Sequence, residues 1–177
     1  MANTAPVEFN QILGEEGSFP CRRVLVKEWK NERRVDIREW EGNEEKSVPT
    51  KKGISLTTSE WDNLKKHSEE IDNQIRAICT ENAQIESKFD LGGLKFVSLD
   101  SAQAFIDVRA YWYPSQQDQP DYTPLSDEKP VPTKRGIALR PEEWDSLVML
   151  VTEIDNAIRR GAKKTVAVGW QKYARKQ

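Results

Sequence analysis

One stretch of this chain is written twice, and that limits the fold more than any other feature. VPTKKGISLTTSEWDNL begins at Val48 and VPTKRGIALRPEEWDSL begins at Val131, an offset of 83 positions (131 − 48). The offset holds from Trp61 to Trp144, from Leu64 to Leu147, and from EIDNQIR at Glu70 to EIDNAIR at Glu153. Upstream, VDIREW at Val35 is echoed by IDVRAYW at Ile106, where Asp36 answers to Asp107 and the offset is 71 (107 − 36). The second copy therefore holds 12 more residues (83 − 71), placed in the Pro-rich, polar YPSQQDQPDYTPLSDEKP, which reads as a long loop. A fixed internal period means two structural units. In 177 residues each unit is small, and small units bury too little surface to be very stable alone.

Each unit has the same grammar. RRVLVKEW and RRVDIREW alternate apolar and polar residues, as half-buried strands do, and KNE between them reads as a turn. EGNEEKSVPT reads as a polar loop, and KKGISL as a short strand entered through Gly53. The period then changes from 2 to 3.6. Thr57 precedes Glu60 by the spacing of a capping box, and Trp61, Leu64, Ile71, Ile75 and Ile78 form an apolar stripe that Ser68 interrupts. In the second copy Pro141 suits the first helical position, and Trp144, Leu147, Val151, Ile154 and Ile158 follow in steps of 3 and 4, with Val148, Met149 and Leu150 widening the stripe. The expected class is α+β: two antiparallel sheets, each followed by one helix, the helices pairing as a pseudo-dimer. The expected boundaries are a flexible tail at 1–17, a first repeat at 18–80, a linker at 81–87, a second repeat at 88–160 and a basic tail, with Trp170 and Tyr173, at 161–177.

A sheet covered on one face leaves the other open. In the first unit Lys27, Trp29, Lys30, Arg34, Arg38 and Trp40 fall near that face, with Lys51 and Lys52 near its edge. Trp61 and Trp144 lie on apolar stripes and read as core, and His67 as an exposed helix residue. The chain has 27 basic and 29 acidic residues, a net charge of −2, so any nucleic-acid contact must come from a local patch. Two distant cysteines and a single histidine make zinc unexpected, and no cofactor is expected. The carboxylates form no acid/base pair, no nucleophile has a partner and no Gly loop suits a phosphate, so no enzyme is expected. No leader-like segment or long apolar run suggests a membrane.

These blocks, VDIREW, then KKGISLTTSEWDNL, then EIDNQI, each with its second copy, resemble the C-terminal domain of the positive cofactor four family of single-stranded-DNA-binding transcriptional coactivators. The resemblance spans about Arg22 to Arg159. It implies a curved four-stranded antiparallel sheet followed by one helix, helix-mediated dimers, and a track for single strands with little sequence preference. It implies nuclear action with the transcription machinery or in genome maintenance, and single-stranded DNA, melted duplex or RNA as partner. Carried over by residue, Lys27, Trp29 and Lys30 in VKEWKNE would contact the strand, whereas the second copy has SLDSAQA there, with neither base nor aromatic. At the end of the next strand Arg109 and Trp112 in RAYW fit well, while Arg38 and Trp40 in REW are one residue short, so that Trp40 stands for either aromatic. Trp40 and Trp112 would stack on bases or pack under the long loop. The basic pair occurs twice, as Lys51–Lys52 and Lys134–Arg135. The tandem copies would pair within one chain or with a second chain. The rival reading is a protein-interaction scaffold that kept the fold and lost strong strand binding.

Overall fold

The computed structural model describes residues 7–116, 121, 123–124 and 127–160. Two four-stranded antiparallel sheets, in the orders β1-β2-β3-β4 and β5-β6-β7-β8, are each followed by a helix. The first unit comprises β1 (Val7–Leu13), β2 (Cys21–Trp29), β3 (Glu32–Gly42), β4 (Ser47–Thr57) and α1 (Thr58–Glu81). The second comprises β5 (Glu86–Gly92), β6 (Lys95–Asp100), β7 (Phe105–Trp112), β8 (Val131–Leu139) and α2 (Pro141–Met149), after which a turn at Leu150 leads into a further helical stretch, 151–160.

Period-2 alternation gives each sheet its buried face. Val24, Val26, Val35 and Ile37 are sealed in the first, and Val97, Leu99, Ile106 and Val108 in the second. Residues of both units form one continuous core, with Trp61 and Trp144 each only 1% exposed. The capping box is present: Glu60 N donates to Thr57 Oγ1 at 3.2 Å and Thr57 N to Glu60 Oε1 at 2.8 Å. Pro141 stands at the first turn of α2, and Arg140 N donates to Glu143 Oε1 at 2.9 Å.

The helices are linked reciprocally across the units. Trp61 Nε1 donates to Asp155 Oδ1 at 2.8 Å, and Trp144 Nε1 to Asp72 Oδ1 at 2.5 Å. Their first turns also reach the opposite sheet. Glu60 holds Lys95 Nζ at 2.7 Å, and Glu143 lies 3.7 Å from Arg22. Asn63 donates to the Leu91 carbonyl, and the Gly14 amide donates to Ser146. Each helix therefore bridges both sheets rather than covering only its own.

Several boundaries differ from expectation. The segment read as a flexible tail holds β1, because Phe9 and Leu13 reach the core and the backbone pairs with β2. The polar loop shrinks to 43–46, since β3 runs on to Gly42 and SVPT belongs to β4. The linker is residues 82–85, closed by Asn82 in the left-handed conformation (φ 51°) that asparagine tolerates at a helix end. Met149 is 83% exposed, because within α2 it falls on the side opposite Trp144 and Leu147 and so does not widen the apolar stripe. His67 is half-buried, its ring 5.1 Å from that of Phe89. The tail at 161–177 lies outside the described residues.

Candidate nucleic-acid interface

At the β2–β3 turn, Lys30 and Asn31 both have positive φ, 48° and 64°, the tight two-residue turn that matches strand twist. Lysine has no intrinsic liking for that region, at a cost of about 1 kcal/mol. The turn leaves Trp29 52% exposed, with Lys30 Nζ 4.4 Å and Arg34 Cζ 4.9 Å from its ring centre. An exposed indole flanked by two cations offers a stacking surface beside positive charge.

Along the same face Arg38 folds back on its own strand. Its Nε and Nη2 donate to the Asp36 carboxylate at 3.2 and 3.0 Å, and Nη1 to the Thr50 carbonyl at 2.9 Å. Lys27 stands 3.7 Å from the same carboxylate, and Asp36 is buried beside its equally buried cross-strand neighbour Leu25. Arg109 repeats the brace on Asp107 (3.0 and 2.9 Å) and on the Thr133 carbonyl (3.0 Å). Each arginine side chain lies over a glycine: a Cβ on Gly53 would come within 2.7 Å of Arg38 Cγ, and one on Gly136 within 2.8 Å of Arg109 Cγ. Three of the five guanidinium N–H groups are thus engaged, and one on each terminal nitrogen is left for a ligand.

The strand register settles which aromatic Trp40 stands for. In both sheets the fourth strand bulges opposite the residue after the braced arginine; Trp40 then pairs with Pro49 as Tyr111 pairs with Pro132, and Glu41 with Val48 as Trp112 with Val131. Trp40 is therefore the counterpart of Tyr111, and Trp112 lies one position on. Arg23 Cζ lies 5.6 Å from the Trp40 ring, a second ring and cation on the first face.

β4 and β8 lie side by side without pairing. This brings the two basic pairs, Lys51–Lys52 and Lys134–Arg135, all exposed, to one seam between the sheets. Two grooves flank it and share Lys51 and Arg135. One, of about 450 Å³, adds Arg34, Arg38 and Lys95; the other, of about 630 Å³, adds Arg22, Lys52, Arg109 and Lys134, with Glu39 the one acid. Positive charge absent from the composition as a whole is concentrated here.

Residues 21–67 match the family model Transcriptional Coactivator p15 (PC4). The stretch runs from the start of β2 into α1 and holds the Trp29 turn, the Arg38 brace and the first basic pair. The chain is 41% identical over 54 residues to the RNA polymerase II transcriptional coactivator KIWI of Arabidopsis thaliana, covering 30% of this chain and 50% of the relative. It is 42% identical over 55 residues to the RNA polymerase II transcriptional coactivator KELP of the same plant, covering 31% of this chain and 33% of the relative. The chain thus spans half the length of one curated relative and a third of the other. No solved structure matches the chain.

Outside the PC4-matching stretch, the second sheet keeps the brace and changes its surroundings. Its open face lines a cavity of about 570 Å³ that includes Lys88, Phe105, Asp107, Arg109 and Tyr111. Phe96 and Tyr111 meet edge to face at 4.9 Å, with Lys88 Nζ 4.3 and 4.1 Å from their centres. Phe105, 39% exposed, supplies an aromatic beside the second turn, where SLDSAQA alone promised none. Sequence reading passed over Arg23, Lys88, Phe96, Phe105 and Tyr111; strict alternation from the braced arginine, Arg109, leads directly to Tyr111.

Proposed function

We propose that this chain binds single-stranded nucleic acid, DNA foremost, with little sequence preference. The strand runs over the open face of the first sheet and along the basic seam, and the protein acts in the nucleus as a transcriptional coactivator or genome-maintenance factor. The observation that carries this reading is the exposed Trp29, held among Lys30 and Arg34 on a face that runs into a seam of four further cations. Any base stacks on an indole, for about 1–3 kcal/mol, whereas bases inside a duplex cannot reach one without unstacking. Lysine and arginine follow phosphates and carry no sequence information. The match of residues 21–67 to PC4, and the names of KIWI and KELP, support the coactivator role and with it the nuclear location. Within this reading the two units act as a dimer in one chain, Lys27, Lys30, Lys51, Lys52, Lys134 and Arg135 serving phosphates, Trp29 and Trp40 serving bases, and Arg38 and Arg109 offering their remaining N–H groups. Trp112, set one position past Tyr111, is the weakest of the stacking candidates.

Anisotropy titration of labelled single-stranded and duplex oligonucleotides in one buffer tests it. Tighter binding of the single strand, weakening steeply with salt, is expected; equal affinity for both forms would overturn the reading.

A further inference from the structure

The two open faces are built on one register but do not carry one chemistry. Where the first sheet sets Lys27 opposite Arg34, the second sets Asp100 opposite Phe105. Where the first sets Arg23 opposite Arg38, the second sets Phe96 opposite Arg109. One cation has become an acid and two have become aromatic rings, while the Asp–Arg brace between them is unchanged. Across β5 and β6, Glu86 also pairs directly with Asp100, a like-charge cross-strand pair of a kind that costs stability. Among the described residues neither carboxylate has a salt-bridge partner, and both are exposed; one oxygen of Asp100 accepts from the Ala102 amide at 2.8 Å, which leaves the other for a ligand. They line, with Phe105, one side of the 570 Å³ cavity.

A phosphate brought here would meet two carboxylates with no cation beside them, Lys88 already held by two rings, and Arg109, whose guanidinium is braced on Asp107 and also lines the basic seam. A cation would meet the reverse: carboxylates to pair with and an exposed ring face to rest on. Lys88 already shows an ammonium held by rings on this surface.

We propose that the open face of the second sheet binds a Lys- or Arg-rich peptide segment of a partner protein, one cationic side chain seating between Phe105 and the Glu86–Asp100 pair. One chain would then hold a single strand on one face and a basic protein segment on the other. This goes beyond strand binding and does not depend on it.

The test uses the full chain, a fluorescein-labelled peptide of alternating lysine and glycine, and separately labelled oligo(dT). Wild type should bind the peptide, with or without saturating oligo(dT). Asp100→Lys should weaken peptide binding about tenfold or more, Asp100→Asn and Phe105→Ala by several-fold, and Glu69→Gln, a remote exposed acid, not at all. Asp100→Lys should leave oligo(dT) affinity equal or higher. The proposal fails if wild type does not bind the peptide, if Phe105→Ala binds it as wild type does, or if Glu69→Gln weakens it as much as Asp100→Asn, since binding would then follow net charge. It also fails if oligo(dT) displaces the peptide, because the strand would then occupy this face.

Discussion

The indole nitrogen of Trp61 donates to the carboxylate of Asp155 at 2.8 Å across the boundary between the two units. The bond is reciprocal, since Trp144 donates in turn to Asp72. Both indoles are buried, so each N–H depends on the other unit for its partner. Removing that partner leaves a buried donor unsatisfied. Asp155→Ala is expected to lower unfolding free energy by about 1–3 kcal/mol, read from the urea midpoint. Trp61→Phe in the same background should add less than it costs alone. Strict additivity would mean that the bond does not couple the units.

The glycines beneath the braced arginines are expected to be intolerant to different degrees. The atoms nearest a Cβ on Gly53 belong to the Arg38 side chain, whereas one on Gly136 also meets the Val108 carbonyl at 2.8 Å. Backbone cannot step aside as a side chain can. Gly136→Ala should therefore destabilise more than Gly53→Ala, both within about 1–3 kcal/mol, as measured by thermal or urea unfolding.

Lys65 bonds Asp155 at 3.0 Å and pairs with Asp62 at 3.1 Å. Burial alone would lower its pKa, but the bonds to Asp155 and Asp62 outweigh it and hold the ammonium above its ordinary 10.5. A group raised on folding stabilises fully below its unfolded pKa and ceases to do so as pH rises through the folded value. The stability difference between wild type and Lys65→Met should thus be constant from neutral pH up to 10.5 and shrink above it. A difference that shrinks toward neutral pH would contradict the assignment.

The seam should dominate the salt dependence of strand binding. Replacing Lys51, Lys52, Lys134 and Arg135 together by glutamine should reduce the slope of log K against log salt by about 3. Trp29→Ala should weaken binding by about 1–3 kcal/mol with little change in slope. Anisotropy at several salt concentrations reads both, and an unchanged slope in the quadruple variant would remove the seam from the site.

What the sequence displayed was what lies along the chain. Thr57 and Glu60 announced the start of α1, and alternation around Val35 and Ile37 announced the buried face. What it hid needs a second element to exist. Glu60 looked like half of a capping box, yet it also grips Lys95 of the other unit. Arg38 looked like a free cation, but Asp36 and the Thr50 carbonyl, which only the folded sheet brings near, engage it. The kinship of Trp40 and Tyr111 likewise needs the fourth strand: REW and RAYW share a final Trp, but Trp40 pairs with Pro49 as Tyr111 pairs with Pro132.

Only residues 82–85 separate the end of α1 from the start of β5. Halves joined by so short a tether meet at an effective concentration on the order of millimolar, whatever the amount of protein present. Two separate chains would part on dilution, and their shared core with them. Here dilution cannot separate the partners, so a chain present in very few copies would still have both of its faces.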